Sequence, residues 1–219
     1  MGKNLWSSLE TDGIYHIYNR SVGNEILFPQ KRNFLFFLKR WKELLFGLDV
    51  FAWCLLPNHF HFLVRVRPPD DGIMRQVQRQ QTIKSKAFIA GEISWAAFLE
   101  SQFQRLFMSY ALAINAQEGR HGSLFQKRFK RVPILSEPKC LYLLAYIHHN
   151  PIHHGYCRHF SQWPWSSWHA FHALDKPSAV NRKEVLSWFA PTTEEALQRF
   201  DEYHQAFKCE RKMERWTIE

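Results

Sequence analysis

A β-hairpin is predicted around Pro57-Asn58, and it restricts the folds that the chain can adopt. These two residues favour a tight connection, and they separate two apolar runs at 49–56 and 59–66. Because strand side chains alternate between faces, His59 and His61 project from one face of the second run. The other face carries a continuous apolar row of Phe60, Phe62, Val64 and Val66. Burial of that row would force both imidazoles to the opposite face of a sheet.

The pattern around the hairpin predicts an α+β domain. Residues 13–20 are β-branched and aromatic and predict a strand, and helical spacing of apolar residues starts at Lys31 and stops at Gly47. After the hairpin come a polar segment from Pro68 to about Glu92, a helix ending before Gly119, an extended stretch at 124–135 and a helix from about Pro138 to Asn150. This order favours a ferredoxin-like antiparallel sheet with helices on one face. We predict that this domain occupies residues 1–172 and that residues 173–219 form a C-terminal helical extension.

Net charge indicates the kind of partner. The chain carries a formal charge of +9, with 21 basic and 11 acidic side chains in residues 1–172 against 8 and 9 in residues 173–219. A basic body suits a polyanion such as nucleic acid, although solvated lysines on an ordinary basic protein give a similar surplus. The apolar content of 46% excludes a disordered chain.

The cysteines and the hydropathy pattern indicate the compartment. Cys54, Cys140, Cys157 and Cys209 form no Cys-x-x-Cys pair that would bind zinc or exchange disulfides, so we expect reduced thiols. The chain has no run of 18 apolar residues to cross a bilayer, and its first residues lack the apolar core of a secretory signal. These features predict a cytoplasmic protein without a membrane partner.

Two side chains on the helix predicted at 138–150 are candidates for chemistry. The core stripe of that helix consists of Cys140, Leu143, Leu144 and Ile147. Tyr146 and Asn150, one turn apart, therefore stack on its flank, where a phenol and an amide can address one metal-bound phosphate. The structural alternative is a core tyrosine and an asparagine that ends the helix before Pro151.

A basic segment at 120–131 is a candidate for nucleic-acid binding. Its cations are Arg120, Lys127, Arg128, Lys130 and Arg131. Phe125 and Phe129 interleave with them, and no acid occurs between Glu118 and Glu137. Such a mixture suits single-stranded nucleic acid, because phosphates meet the charges and bases stack on the rings. The alternative is a solvated basic edge strand that deters aggregation.

Five strings occur in a fixed order along the chain. They are Tyr-His-Ile-Tyr-Asn-Arg at 15–20, Leu-Leu-Pro-Asn-His-Phe-His-Phe-Leu-Val at 55–64, Gly-Ser-Leu-Phe-Gln-Lys-Arg-Phe-Lys at 122–130, Tyr-Ile-His-His-Asn-Pro at 146–151 and Trp-Pro-Trp-Ser-Ser-Trp at 163–168. Together they resemble the REP-associated tyrosine transposases, which are single-tyrosine HUH transposases. The resemblance covers about residues 13–205. Ser21, where the family often has glycine, and the extra histidines at 148–154 depart from the family pattern.

The resemblance implies a metal-dependent nuclease and strand transferase that acts on single-stranded or hairpin DNA through a 5′-phosphotyrosine. His59 and His61 match the metal histidines of the family, and Tyr146 matches its nucleophile. Asn150 matches the position that supplies a third ligand in related enzymes, and the metal would be Mg²⁺ or Mn²⁺. Both a monomer and a dimer are compatible with the resemblance.

Two other functions are compatible with parts of the sequence. A domesticated, non-mobile DNA-hairpin-binding protein without turnover would share every binding feature, although it would not need Tyr146. A zinc hydrolase built on the histidines at 148–154 would lack a carboxylate at metal-ligand spacing. The same histidines leave open which of them, if any, assists the predicted metal site.

Overall fold

The computed structural model describes residues 5–208, so the prediction for the Cys209 thiol lies outside the described residues. The strands are β1 (Ile14–Arg20), β2 (Leu48–Leu56), β3 (His59–Val66) and β4 (Lys130–Pro133). The α-helices are α1 (Lys31–Leu44), α2 (Asp71–Gln80), α3 (Ile83–Ile89), α4 (Trp95–Glu118), α5 (Glu137–His153), α6 (Trp168–Phe171), α7 (Arg182–Ser187) and α8 (Thr193–Ala206). None of these helices within residues 5–208 has the length and apolar character needed to cross a membrane.

The strands form one antiparallel sheet in the order β2-β3-β1-β4. The predicted hairpin is present, with Leu56 opposite His59 across the Pro57-Asn58 connection. Strand β1 lies beside β3 and pairs Arg20 with His59 and Tyr18 with His61. This strand order is that of a ferredoxin-like sheet, so the α+β class and the antiparallel sheet are confirmed.

One face of the sheet packs on α1 and α4. The apolar row of β3 points to this side, and each of its four side chains is at most 1% exposed. Trp41 of α1 stacks on Phe62 with ring centroids 3.5 Å apart, and Phe103 of α4 packs edge-on against Trp41 at 5.7 Å. Burial of this row turns the histidines of β3 to the opposite face, as the alternation predicts.

Helices also cover that opposite face, which corrects the prediction that they lie on one face only. Leu63 of β3 shares a second hydrophobic cluster with Ile147 of α5 and with Val185 and Phe200 of the C-terminal helices. The reason is that β2 and β3 carry apolar side chains on both faces, so neither face can be left to water. The proposed boundary at residue 172 stays a prediction, although the helices after it contribute to this cluster.

Local boundaries differ from the predicted ones at two places. Helix α5 does not end at Asn150 but continues through Pro151 to His153. The proline removes one backbone hydrogen bond, and burial of the surrounding side chains offsets that loss. Of the extended stretch at 124–135, only β4 pairs as a strand. The predicted end of α4 is confirmed, because Gly119 adopts the left-handed conformation that caps the helix.

Candidate active site

One face of the sheet collects polar side chains from three strands. They are His16, Tyr18 and Arg20 from β1, His59 and His61 from β3, and Lys130 from β4. They share the face because alternate residues of a strand point the same way and paired residues lie side by side. Helix α5 covers this face and directs Tyr146 and Asn150 towards it. The structure therefore brings together the four side chains predicted for metal binding and catalysis.

The His59 imidazole faces an amide oxygen at each of its nitrogens. Nδ1 lies 2.7 Å from Asn58 Oδ1, and Nε2 lies 3.1 Å from Asn150 Oδ1. Burial, together with the neighbouring His154, lowers the pKa of His59 to about 3, so the ring is neutral and carries one proton. One proton cannot serve two oxygens. With the Asn150 amide oriented as it stands, a nitrogen lone pair meets an oxygen lone pair at one contact, which a cation beside both atoms or a turn of the Asn150 amide would relieve.

The His61 imidazole is held by a second buried histidine. His61 Nδ1 lies 2.9 Å from His16 Nε2, and Tyr18 stacks on His16 with ring centroids 4.7 Å apart. Burial lowers the pKa of His16 to about 3 and that of His61 well below its ordinary value, with the neighbouring histidines adding to the second effect. Both rings are neutral, so a single proton lies between them.

Tyr146 lies beside the histidine pair. Its ring is 5% exposed and packs edge-on against His61, with centroids 5.9 Å apart. One turn later, Asn150 is fully buried, and its Nδ2 has no hydrogen-bond partner among the described residues. Tyr146 thus faces His61 while Asn150 faces His59, so the helix and the strand present their functional side chains to each other in register.

The donor set fits a small divalent cation. The 3.1 Å between His59 Nε2 and Asn150 Oδ1 is close to the roughly 3.0 Å between adjacent ligands of an octahedral ion with bonds of about 2.1 Å. The His61 ring lies 5.2 Å from that of His59 and adds a further imidazole. Within residues 5–208, no three His, Cys, Asp or Glu side chains are grouped to hold a metal, so the third protein donor would be the amide oxygen. Carbonyl, water and phosphate oxygens completing such a site suit Mg²⁺ or Mn²⁺.

Three cations of the basic segment lie at the surface or on the histidine face of the sheet. Lys127 and Arg128 are exposed, whereas Lys130 lies on the histidine face with its Nζ 5.7 Å from the centre of the Tyr18 ring. Burial and the nearby Arg20 lower the pKa of Lys130 from its ordinary value. A phosphate bound on this face would therefore meet Lys130 close to the histidines.

The other two cations of the segment form ion pairs. Arg120 lies 3.0 Å from Glu25, and Arg131 lies 2.8 Å from Glu100. Arg131 also donates to the backbone carbonyl of Ser7. The sequence around this segment lacks acids, but the fold supplies them from distant positions. DNA contact by Arg120 and Arg131 stays a prediction, and it would compete with these bonds.

Sequence reasoning missed three residues of this face: His16, Tyr18 and Arg20. The strand prediction for residues 13–20 contained the needed signal, because alternation places all three on one side of β1. What the pattern lacked was the pairing of β1 with β3, which sets Arg20 opposite His59.

In fold and in its sequence motifs, the chain is similar to a class of DNA-processing proteins, the REP-associated tyrosine transposases. One such relative is a curated Haemophilus influenzae protein with the provisional name REP-associated tyrosine transposase. It is 27% identical over 126 residues, which are 57% of this chain and 61% of that protein. The chain thus spans about three fifths of the length of this relative. No family model matches the chain.

A solved structure shows the same fold. It is a REP-associated tyrosine transposase bound to a REP hairpin, and it matches with a TM-score of 0.50 and 18% identity over 82% of this chain and 90% of that one. The likeness concerns the fold. Together the two comparisons confirm the resemblance that the motifs indicated and the α+β fold class.

Proposed function

We propose that this chain is a HUH-type transposase, a metal-dependent enzyme that nicks and joins hairpin or single-stranded DNA in the cytoplasm. The observation that carries the proposal is the convergence of His59, His61 and Asn150 on one buried face, with the phenol ring of Tyr146 beside them. The names of the two similar proteins support it, and the hairpin bound to one of them supports a DNA hairpin as the partner.

Each residue has a defined task in this chemistry. Held by His59, His61 and Asn150, Mg²⁺ or Mn²⁺ would act as a Lewis acid on a non-bridging oxygen of the scissile phosphate. Tyr146 Oη attacks the phosphorus and forms the 5′-phosphotyrosine bond, while the bond from phosphorus to the 3′ oxygen breaks. The departing oxygen takes a proton and leaves as a 3′-hydroxyl.

The covalent intermediate keeps the energy of the broken bond. The 3′-hydroxyl of a second strand can attack the phosphotyrosine, release Tyr146 and rejoin the DNA without ATP. Because a phenol has a pKa of about 10, positive charge must favour its ionised form. Arg20 and Lys130 provide charge on the same face of the sheet, and they would also hold the phosphate.

Replacement of Tyr146 by phenylalanine tests the proposal most directly. The wild type, given Mn²⁺ and 3′-end-labelled hairpin DNA with single-stranded flanks, should form an adduct that survives denaturation. Tyr146→Phe keeps the ring and its packing, so hairpin affinity should change little while adduct formation falls by more than about 1,000-fold. Tyr142→Phe, one turn earlier on α5, is the matched control and should still form the adduct.

Two outcomes would contradict this assignment. An adduct that survives Tyr146→Phe and disappears in Tyr142→Phe would move the nucleophile back by one turn. A wild type that binds the hairpin tightly and forms no adduct would instead favour a domesticated DNA-binding protein.

A further inference from the structure

His16 is a buried histidine that the proposed chemistry does not use. It lies on β1, is 1% exposed, and its Nε2 lies 2.9 Å from His61 Nδ1. Its ring is nearly parallel to that of His61, with centroids 5.1 Å apart, and it also stacks on Tyr18. A polar ring buried at this depth needs a partner, and the partner here is a predicted metal ligand.

The contact restricts how His61 can bind a cation. Its Nδ1 faces His16, so Nε2 is the nitrogen left to coordinate. A neutral imidazole carries one proton, and a coordinating nitrogen must be free of it. For His61 to coordinate through Nε2, its proton has to sit on Nδ1 and be donated to His16 Nε2, which then acts as the acceptor.

His59 shows the same arrangement by a different route. Its Nδ1 lies 2.7 Å from Asn58 Oδ1, an oxygen that can only accept. Because this contact is shorter than the 3.1 Å between Nε2 and Asn150 Oδ1, we place the proton of His59 on Nδ1, and Nε2 is left towards Asn150. Both imidazoles of β3 thus have an acceptor behind Nδ1, which is the arrangement expected of metal-binding histidines.

We propose that His16 is a positioning residue that fixes the Nδ1-protonated tautomer and the ring orientation of His61. The stack of Tyr18 on His16 holds the acceptor in place, and His16 in turn presents the His61 Nε2 lone pair to the site. That this lone pair serves a divalent cation rests on the proposed function. The tautomer itself is a property of the metal-free protein and can be measured separately.

Two variants separate the acceptor from the packing. His16→Phe keeps a flat ring that can stack on Tyr18 but removes the acceptor. His16→Gln offers a side-chain oxygen near the position of the lost Nε2 and should restore the bond. Nitrogen-15 NMR of the metal-free protein should show His61 protonated at Nδ1 in the wild type and in His16→Gln. In His16→Phe the proton should be shared with or moved to Nε2.

Metal affinity gives a second readout. Titration with Mn²⁺, followed by the loss of the free-ion electron paramagnetic resonance signal, should show binding about 10- to 100-fold weaker in His16→Phe than in the wild type. His16→Gln should stay within a few-fold of the wild type. A purely structural role for His16 would lower the melting temperature of both variants without this difference between them.

The proposed role of His16 requires one tautomer of His61 in the metal-free wild type. A wild-type His61 protonated at Nε2 would overturn it, even if neither variant folds. So would a His16→Phe protein with the wild-type tautomer and Mn²⁺ affinity. A wild type with the expected tautomer, altered in His16→Phe, that binds no Mn²⁺ would support the role of His16 and contradict the metal-dependent function.

Discussion

Two buried histidine networks lie on either side of α5, and they differ in whether every hydrogen-bond donor has an acceptor. The network between α5 and α8 forms a complete chain of donors and acceptors. Trp53 N–H donates to Ser167 Oγ at 2.9 Å, and that hydroxyl donates to His148 Nε2 at 2.7 Å. His148 Nδ1 then donates to His204 Nε2 at 2.8 Å, and His204 Nδ1 donates to the Phe200 carbonyl at 2.7 Å. Every proton in this chain has one acceptor.

The network on the sheet does not close in this way. His59 has a single proton for two amide oxygens, and Asn150 Nδ2 is buried without a hydrogen-bond partner among residues 5–208. Burial lowers the pKa of the histidines in both networks, so neither burial nor a shifted pKa distinguishes them. The balance of donors and acceptors does: the closed network is complete as protein, whereas the sheet network leaves Asn150 Nδ2 unpaired and an amide oxygen against His59 Nε2, where the proposed function would place a cation.

The histidines at the C-terminal end of α5 belong to different networks. Both nitrogens of His148 are committed to the closed network, so it is not available as a metal ligand. His154, whose ring centroid lies 4.7 Å from that of His59, reaches the sheet face that carries His59 and His61.

The largest effect is expected when a histidine of the sheet network is removed, because cleavage should then be lost. Removal of a histidine from the closed network should not have this effect. His59→Ala should abolish Mn²⁺ binding and reduce cleavage more than about 1,000-fold, with little change in melting temperature, because the apolar row of β3 stays buried. His148→Ala is the matched control. It should lower the free energy of unfolding by about 2–4 kcal/mol, since it leaves the Ser167 hydroxyl proton and His204 Nε2 without their partner, while Mn²⁺ affinity is kept. Cleavage at an equal rate with and without chelator would disprove the metal site.

A smaller effect is expected on the pH dependence of stability. Burial lowers the pKa of His204 to about 3, against about 6.5 in an unfolded chain. Between these values the unfolded state binds a proton that the folded state does not, so stability falls as the pH falls below about 6.5. Urea denaturation should show that His204→Gln reduces this slope by about 1.4 kcal/mol per pH unit, or tenfold in the folding equilibrium. An unchanged slope in His204→Gln would contradict the assignment of this pH dependence to His204.

The smallest effect should come from surface charge outside both networks. The double variant Lys127→Gln with Arg128→Gln should weaken hairpin binding roughly fivefold per contact at 0.15 M salt. It should flatten the slope of log affinity against log salt by roughly 0.7 to 0.9 per contact. Lys183→Gln, an exposed cation on α7, is the control for net charge and should leave the slope unchanged. An unchanged slope in the double variant would mean that Lys127 and Arg128 form only a solvated face.

Local periodicity was sufficient to predict much of the fold and part of the site. Alternation within the hairpin put His59 and His61 on one face, because burial of Phe60 and Phe62 leaves the strand no other orientation. Helical spacing likewise placed Tyr146 and Asn150 on one side of α5. These are relations between residues a few positions apart, and they depend on backbone geometry that the sequence carries directly.

Tertiary structure decided which of these local faces meet. His16 and His61 are 45 positions apart and touch only because β1 enters the sheet beside β3 in one particular register. The partners of Arg120 and Arg131, Glu25 and Glu100, are equally remote in sequence. Strand order, register and the covering of both sheet faces result from burying all apolar surface at once. A periodic pattern read along the chain contains no information about that collective balance.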